Sequence, residues 1–100
     1  MSAPVRRRLV IHGLVQGVGY RAFVEEEAEA LGLDGWVRNR RAGTVEAVVA
    51  GSAEAVEAII AACRKGPFAA RVDDVAVSDV EAAALDQRRP GERFSVLPTV

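Results

Sequence analysis

Apolar and polar residues follow two different periods along the chain, and these periods predict an order of strands and helices. Short runs of apolar and β-branched residues predict four strands, over residues 5–12, 35–39, 44–51 and 71–80. Between the first two runs, apolar side chains recur at helical spacing and predict a helix over residues 20–31. Its apolar stripe consists of Tyr20, Phe23, Val24, Ala28 and Leu31.

A second helix is predicted after the third strand. Ser52 is a suitable N-cap, and Gly66 followed by Pro67 is typical of a helix end. The expected apolar stripe of this helix consists of Ala53, Val56, Ile60 and Cys63. After the fourth strand, the sequence predicts a loop over residues 82–91 and a short edge strand over residues 92–98.

The resulting order is β-α-β-β-α-β with a possible short fifth strand. It predicts an α+β fold of the ferredoxin-like split βαβ type, in which an antiparallel sheet carries both helices on one face. The short link at residues 40–43 ends on glycine and predicts a hairpin between the second and third strands. We expect the 100 residues to form a single domain, 1–100, with a disordered end at residues 1–4.

The composition argues against several classes of function. A formal net charge of −1 disfavours a broad nucleic-acid-binding face, and the arginines of the predicted hairpin either steer anionic substrates or are simply solvated. The single cysteine, Cys63, excludes an internal disulfide and a multi-cysteine metal site, and favours a reducing, cytoplasmic location. The apolar run before His12 is too short for a signal peptide or a membrane span, so we expect no membrane partner.

Residues 12–21, HGLVQGVGYR, place three glycines between the first strand and the first helix. Glycines allow the chain to curl so that free backbone N–H groups point at one spot, and the helix N-terminus adds partial positive charge there. Arg21 can add two parallel donors for a phosphate. The pattern predicts an anion site at residues 15–21, although a tight turn without a ligand has a similar pattern. The loop lacks the Gly-Lys-Ser/Thr sequence and the nearby acidic metal ligand of a nucleoside-triphosphate-binding loop, so that class of site is excluded.

Two segments, GLVQGVGYRAF and GWVRNRRAGTVEAVVAG, closely resemble the acylphosphatase family, and the resemblance extends from about Leu9 to GPFAARVDDV. It implies the same ferredoxin-like fold and the hydrolysis of the carboxyl–phosphate bond of acyl phosphates, without a metal or a cofactor. It also implies that Arg21 binds the phosphate and that Asn39 positions the attacking water. The phosphate-binding residues that it implies are Val15, Gln16, Gly17, Val18, Gly19, Tyr20 and Arg21.

The sequence departs from the family pattern at two positions near the loop. Leu14 stands where a basic residue is common, and Tyr20 replaces the usual Phe or Met, so that the Tyr20 hydroxyl needs a partner. The expected partners are a small acyl phosphate as substrate and orthophosphate as product and inhibitor, with no nucleic acid. We expect the protein to act as a monomer.

Less specific interpretations remain open for both catalytic candidates. Arg21 is spaced to pair with Glu25 on the same helix, and Asn39 is suited to open a hairpin turn. Three other functions also remain open: a domain that handles carbamoyl phosphate, an RNA-binding module with the same element order, and a module that holds phosphate without hydrolysing it. The strand TVEAVVAG has none of the aromatic residues on which an RNA-binding module stacks bases.

Overall fold

A computed structural model describes residues 3–100, so the part of the expected disordered end formed by residues 1–2 lies outside the described residues. Residues 3–4 are exposed and belong to no helix or strand. The elements that follow are β1 (Val5–Leu14), α1 (Tyr20–Ala30), β2 (Asp34–Asn39), β3 (Val45–Gly51), α2 (Ala53–Lys65), β4 (Arg71–Asp79), a 3₁₀ helix (Ala82–Gln87) and β5 (Phe94–Val96). The predicted order of strands and helices is confirmed.

The strands form one sheet in the order β4-β1-β3-β2-β5. The pairs among β1 to β4 are antiparallel, as the sequence predicts, whereas β5 pairs with β2 in parallel. Because β4 and β5 lie at opposite edges of the sheet, β5 reaches β2 through a long crossing connection and not through a hairpin, and such a connection permits parallel pairing. Backbone bonds from Gly35 N to Arg93 O and from Leu97 N to Val37 O, both 2.9 Å, fix β5 in place.

Both helices pack on one face of the sheet and bury the main core against it. Buried side chains of β1, β2 and β3, such as Leu9, Val37 and Val49, meet buried residues of both helices there. The expected stripe of α2 is only partly right, because Ile59 is fully buried while Ala53 is exposed. Val56 and Cys63 are buried as expected, and Ser52 caps the helix by accepting a hydrogen bond from Ala55 N at 3.1 Å.

The other face of the sheet is partly covered by a segment for which the sequence predicts only a loop. Residues 82–87 form the 3₁₀ helix, so the loop prediction for 82–91 is wrong over this part. Trp36 explains the difference, because its indole nitrogen donates to Ala84 O at 2.7 Å and its fully buried ring packs with Leu85. Because this packing depends on one distant residue, residues 82–87 show no periodic pattern of apolar side chains from which a helix could be predicted.

Candidate active site

The connection between β1 and α1 is a short loop, residues 15–19, whose shape depends on two glycines. Gly17 has φ of 74° and Gly19 has φ of 76°, the left-handed region that glycine enters without strain. Gly19 is the N-cap of α1 and has no side chain to satisfy the first amides of the helix. Among residues 3–100, the backbone N–H groups of residues 16–22 have no protein acceptor. The loop therefore offers several free donors and the positive end of a helix to an anion.

Asn39 is the last residue of β2 and faces the loop of residues 15–19. Its backbone pairs with Val45 of β3, and its carbonyl oxygen accepts a hydrogen bond from Val100 N at 3.3 Å. The main chain at Asn39 is thus held between a neighbouring strand and the segment that follows β5. Within residues 3–100 its side-chain amide forms no hydrogen bond, so its donors and its acceptor remain available to a ligand or a water molecule.

A cleft of about 450 Å³ joins the loop to Asn39. The cleft is lined by Val15, Gly17, Gly19, Tyr20, Arg21, Ala22, Glu25, Asn39 and Val96. The structure therefore brings both catalytic candidates of the sequence analysis to one site. Arg21 and Glu25 share this lining, yet Arg21 forms no ion pair among residues 3–100, so its guanidinium is not committed to Glu25.

Two of the residues expected to bind phosphate turn their side chains away from the cleft. Val18 packs against the main core. The Gln16 side chain donates from Nε2 to the carbonyl oxygens of Arg40 at 2.7 Å and Thr44 at 2.9 Å. Because these bonds occupy the side-chain donor of Gln16, the backbone N–H is the donor that residue 16 retains for an anion.

Tyr20 forms part of the cleft wall, and its hydroxyl has the partner that the sequence analysis requires. The ring is buried and lies 5.8 Å from the ring of Phe23, between centroids. The hydroxyl donates to the carbonyl oxygen of Cys63 at 2.6 Å. Burial raises the pKa of Tyr20 above its usual range, so the hydroxyl stays protonated and donates to Cys63 rather than acting on a ligand.

Three residues that line the cleft, Ala22, Glu25 and Val96, are not among the site residues expected from the sequence. The sequence predicts Glu25 only as an alternative partner of Arg21, four residues away on the same helix, and not as part of the cleft wall. Val96 had no such signal, because it reaches the cleft through the parallel pairing of β5 with β2. The cleft thus contains one unassigned carboxylate and an apolar wall.

Two arginines of the hairpin, Arg38 and Arg40, bind a buried carboxylate outside the cleft. Glu46 accepts hydrogen bonds from Arg38 Nε at 2.8 Å, Arg8 Nε at 3.0 Å and Arg40 Nη1 at 3.3 Å. The Arg38 guanidinium also lies 4.5 Å from the centroid of the Trp36 ring. Arg38 and Arg40 therefore bind Glu46 on the sheet face away from the helices. This argues against both substrate steering and simple solvation as their role.

Two further observations concern the part of the chain that the structure describes. Across residues 3–100, no group of three or more His, Cys, Asp or Glu side chains is arranged to hold a metal ion. None of the helices in this range is long and apolar enough to cross a membrane.

Fold and cleft together define a class of protein: a small α+β domain in which a glycine loop with free backbone N–H groups, between the first strand and the first helix, faces a carboxamide on a hairpin. The acylphosphatase family model matches residues 7–95. An acylphosphatase of Rhodopseudomonas palustris strain BisB18 is 61% identical over 94 residues, which cover 94% of this chain and 95% of that protein. The chain belongs to the acylphosphatase family.

Solved structures agree with this assignment. The crystal structure of acylphosphatase from Bacillus subtilis superposes with a TM-score of 0.80 at 34% identity, covering 93% of this chain and 98% of that chain. The structure of an acylphosphatase from Coxiella burnetii gives a TM-score of 0.82 at 29% identity, covering 94% of this chain and 93% of that one. The ferredoxin-like fold predicted from the sequence is thereby confirmed.

Proposed function

We propose that the cleft hydrolyses the carboxyl–phosphate bond of small acyl phosphates by attack of water on phosphorus, with Arg21 binding the phosphate and Asn39 orienting the water. Membership of the acylphosphatase family makes the chain an enzyme that hydrolyses acyl phosphates. The assignment of roles to residues goes further. The observation that supports it is the single cleft shared by the glycine loop, Arg21 and Asn39.

The phosphate end of the substrate is held by the loop and by Arg21. The backbone N–H groups of the loop are free to donate to phosphate oxygens, and the start of α1 adds favourable charge. The guanidinium of Arg21 can place two parallel N–H donors on one phosphate edge. The residues proposed to bind phosphate are Val15, Gln16, Gly17, Val18, Gly19 and Tyr20 through the backbone, and Arg21 through its side chain.

The chemical step needs an aligned water more than a strong base, because a carboxylate is a good leaving group. Asn39 offers one acceptor and two donors and carries no charge that would repel the phosphate. The water oxygen forms a bond to phosphorus as the bond from phosphorus to the bridging oxygen breaks, and the bridging oxygen leaves with its electron pair as the carboxylate. One water proton passes to an oxygen of the phosphate itself. Arg21 and the loop amides stabilise the charge on the equatorial oxygens during this step.

Several finer points belong to the same proposal. Orthophosphate is expected to inhibit, because it presents the same oxygens to the loop as the substrate does. The reaction as written uses no metal ion and no cofactor, and the protein is expected to act as a monomer. A cytoplasmic location is supported by the lone cysteine, which is buried and free.

The proposal is tested by measuring benzoyl phosphate hydrolysis by the wild type, Arg21→Ala and Asn39→Ala, each with and without a chelator. We expect chelator-resistant activity in the wild type and competitive inhibition by orthophosphate. Arg21→Ala should raise KM and lower kcat, whereas Asn39→Ala should lower kcat by about 100-fold or more with little change in KM. Full activity of Asn39→Ala, or orthophosphate binding without turnover in the wild type, would contradict the proposal.

A comparison of substrates separates the proposed function from the handling of carbamoyl phosphate. The same wild-type preparation is assayed with benzoyl phosphate and carbamoyl phosphate. A kcat/KM that is higher for benzoyl phosphate supports a general acylphosphatase, and a strong preference for carbamoyl phosphate would favour the alternative.

A further inference from the structure

The side chain of Gln16 crosses from the loop of residues 15–19 to the hairpin between β2 and β3. Its Nε2 atom donates to Arg40 O at 2.7 Å and to Thr44 O at 2.9 Å. A primary amide nitrogen carries two hydrogens, so both donors of Gln16 are used by the hairpin. Within residues 3–100, no other side-chain hydrogen bond joins residues 15–22 to residues 39–44.

The two carbonyls that Gln16 binds already have partners in the backbone. Arg40 N donates to Thr44 O at 2.8 Å, and Gly43 N donates to Arg40 O at 2.9 Å. These bonds close the turn without help from Gln16, and each carbonyl oxygen has a second lone pair for a further donor. The bonds from Gln16 therefore attach a turn that is already formed to the loop.

Asn39 directly precedes this turn, so the attachment determines where its amide lies relative to the loop. The Asn39 side chain has no hydrogen-bonding partner of its own within residues 3–100, and its position follows from the adjacent backbone. We propose that Gln16 is a positioning residue that sets the separation between the phosphate loop and the water-orienting Asn39. This proposal rests on the function proposed above for Arg21 and Asn39.

The two halves of the site should respond differently when this attachment is lost. The loop amides and Arg21 both belong to the β1–α1 connection, so phosphate binding does not require the hairpin. Attack of water does require Asn39 at the correct distance, and misplacement by about 1 Å can reduce a rate by roughly 100-fold. Loss of the Gln16 bonds should therefore lower kcat and leave the affinity for phosphate unchanged.

The test uses Gln16→Met, which keeps the length of the side chain and removes its donors. We expect kcat for benzoyl phosphate to fall about 10- to 100-fold, with KM and the inhibition constant of orthophosphate within about twofold of the wild type. Gln87→Met is the matched control, because Gln87 also bonds through its side chain, to Arg38 Nη1 at 3.1 Å, but lies on the 3₁₀ helix away from the cleft. Its kcat and KM should match the wild type.

Gln16→Asn is measured beside Gln16→Met, with the melting temperature of each variant, because it keeps the amide but is too short to reach both carbonyls. The same loss of kcat is expected from it. Gln16→Met is also combined with Asn39→Ala, where it should change kcat by no more than about twofold, because the residue that it positions has been removed. An equal loss of kcat in both backgrounds, or a higher KM with unchanged kcat, would overturn the positioning role alone. Full activity of Asn39→Ala would instead overturn the proposed function as well.

Discussion

Cys63 and Tyr20 show how a departure from the family pattern is accommodated at the scale of a residue. A helical carbonyl normally accepts the N–H group four residues later, but for Cys63 that residue is Pro67, which has no N–H. The Tyr20 hydroxyl donates to this carbonyl oxygen at 2.6 Å and replaces the missing donor. The hydroxyl thus joins the start of α1 to the end of α2, which explains why a tyrosine is tolerated here.

Burial of the Cys63 thiol predicts a loss of stability at alkaline pH. Burial raises the pKa of the Cys63 thiol from 9.0 to about 11, against a smaller lowering by the Tyr20 hydroxyl. Between these values the unfolded chain releases a proton that the folded chain keeps, so the free energy of unfolding falls as the pH rises through this range. Below about pH 8 the thiol is protonated in both states and contributes no pH dependence. From pH 8 to pH 10.5, urea denaturation should show a decrease of about 2 kcal/mol from this group.

Cys63→Ala is the control for this prediction, because it removes the thiol and leaves Tyr20 in place. Its free energy of unfolding should fall less than that of the wild type over the same pH interval. An equal fall in both proteins, or none in the wild type, would show that the thiol is not held protonated by the fold.

The central strands of the sheet carry an ionic network on the face away from the helices. Glu46 of β3 is 8% exposed and accepts from arginines of β1, of β2 and of the hairpin, so it links three neighbouring parts of the sheet. The Arg38 side chain is 13% exposed, so this pair is the least hydrated of the three. A carboxylate that is removed from such a place leaves poorly hydrated guanidinium charges behind.

Glu46→Gln should therefore destabilise the protein by about 2 kcal/mol in urea denaturation. The matched control is Asp73→Asn, which breaks an ion pair with Arg71 whose side chains are 55% and 74% exposed. That change should cost less than about 1 kcal/mol, because water screens an exposed pair. Similar costs for the two variants would mean that the network at Glu46 does not stabilise the sheet.

The order and type of the elements could be predicted from the sequence because each depends on a local pattern. The facing of α2 could not be predicted fully, because Ile59 and Ile60 are adjacent and periodicity alone does not decide which of them is buried. The 3₁₀ helix at residues 82–87 was missed because its packing depends on Trp36, a residue far away in the sequence. The parallel pairing of β5 with β2 was missed because it also depends on two segments that are far apart in the sequence.

At the scale of the whole molecule, the site combines parts that are distant along the chain. The loop and Arg21 could be predicted from glycine spacing next to a helix, and Asn39 entered through the resemblance to a family. Two features could not be predicted from the sequence: the contribution of Val96 and the attachment of the loop through Gln16. Both arise only when β5 and the hairpin are placed beside the β1–α1 connection. The fold brings the loop with Arg21 and the hairpin with Asn39, the two halves of the proposed site, to one cleft.

Attack of water on phosphorus in this cleft is the central claim, and isotope labelling tests it most directly. Benzoyl phosphate is hydrolysed by the protein in water enriched in oxygen-18, and both products are analysed by mass spectrometry. If the loop and Arg21 hold the phosphate while Asn39 presents the water to phosphorus, the heavy oxygen will appear in orthophosphate and not in benzoate. Heavy oxygen in benzoate would show attack at the carbonyl carbon and would contradict the account.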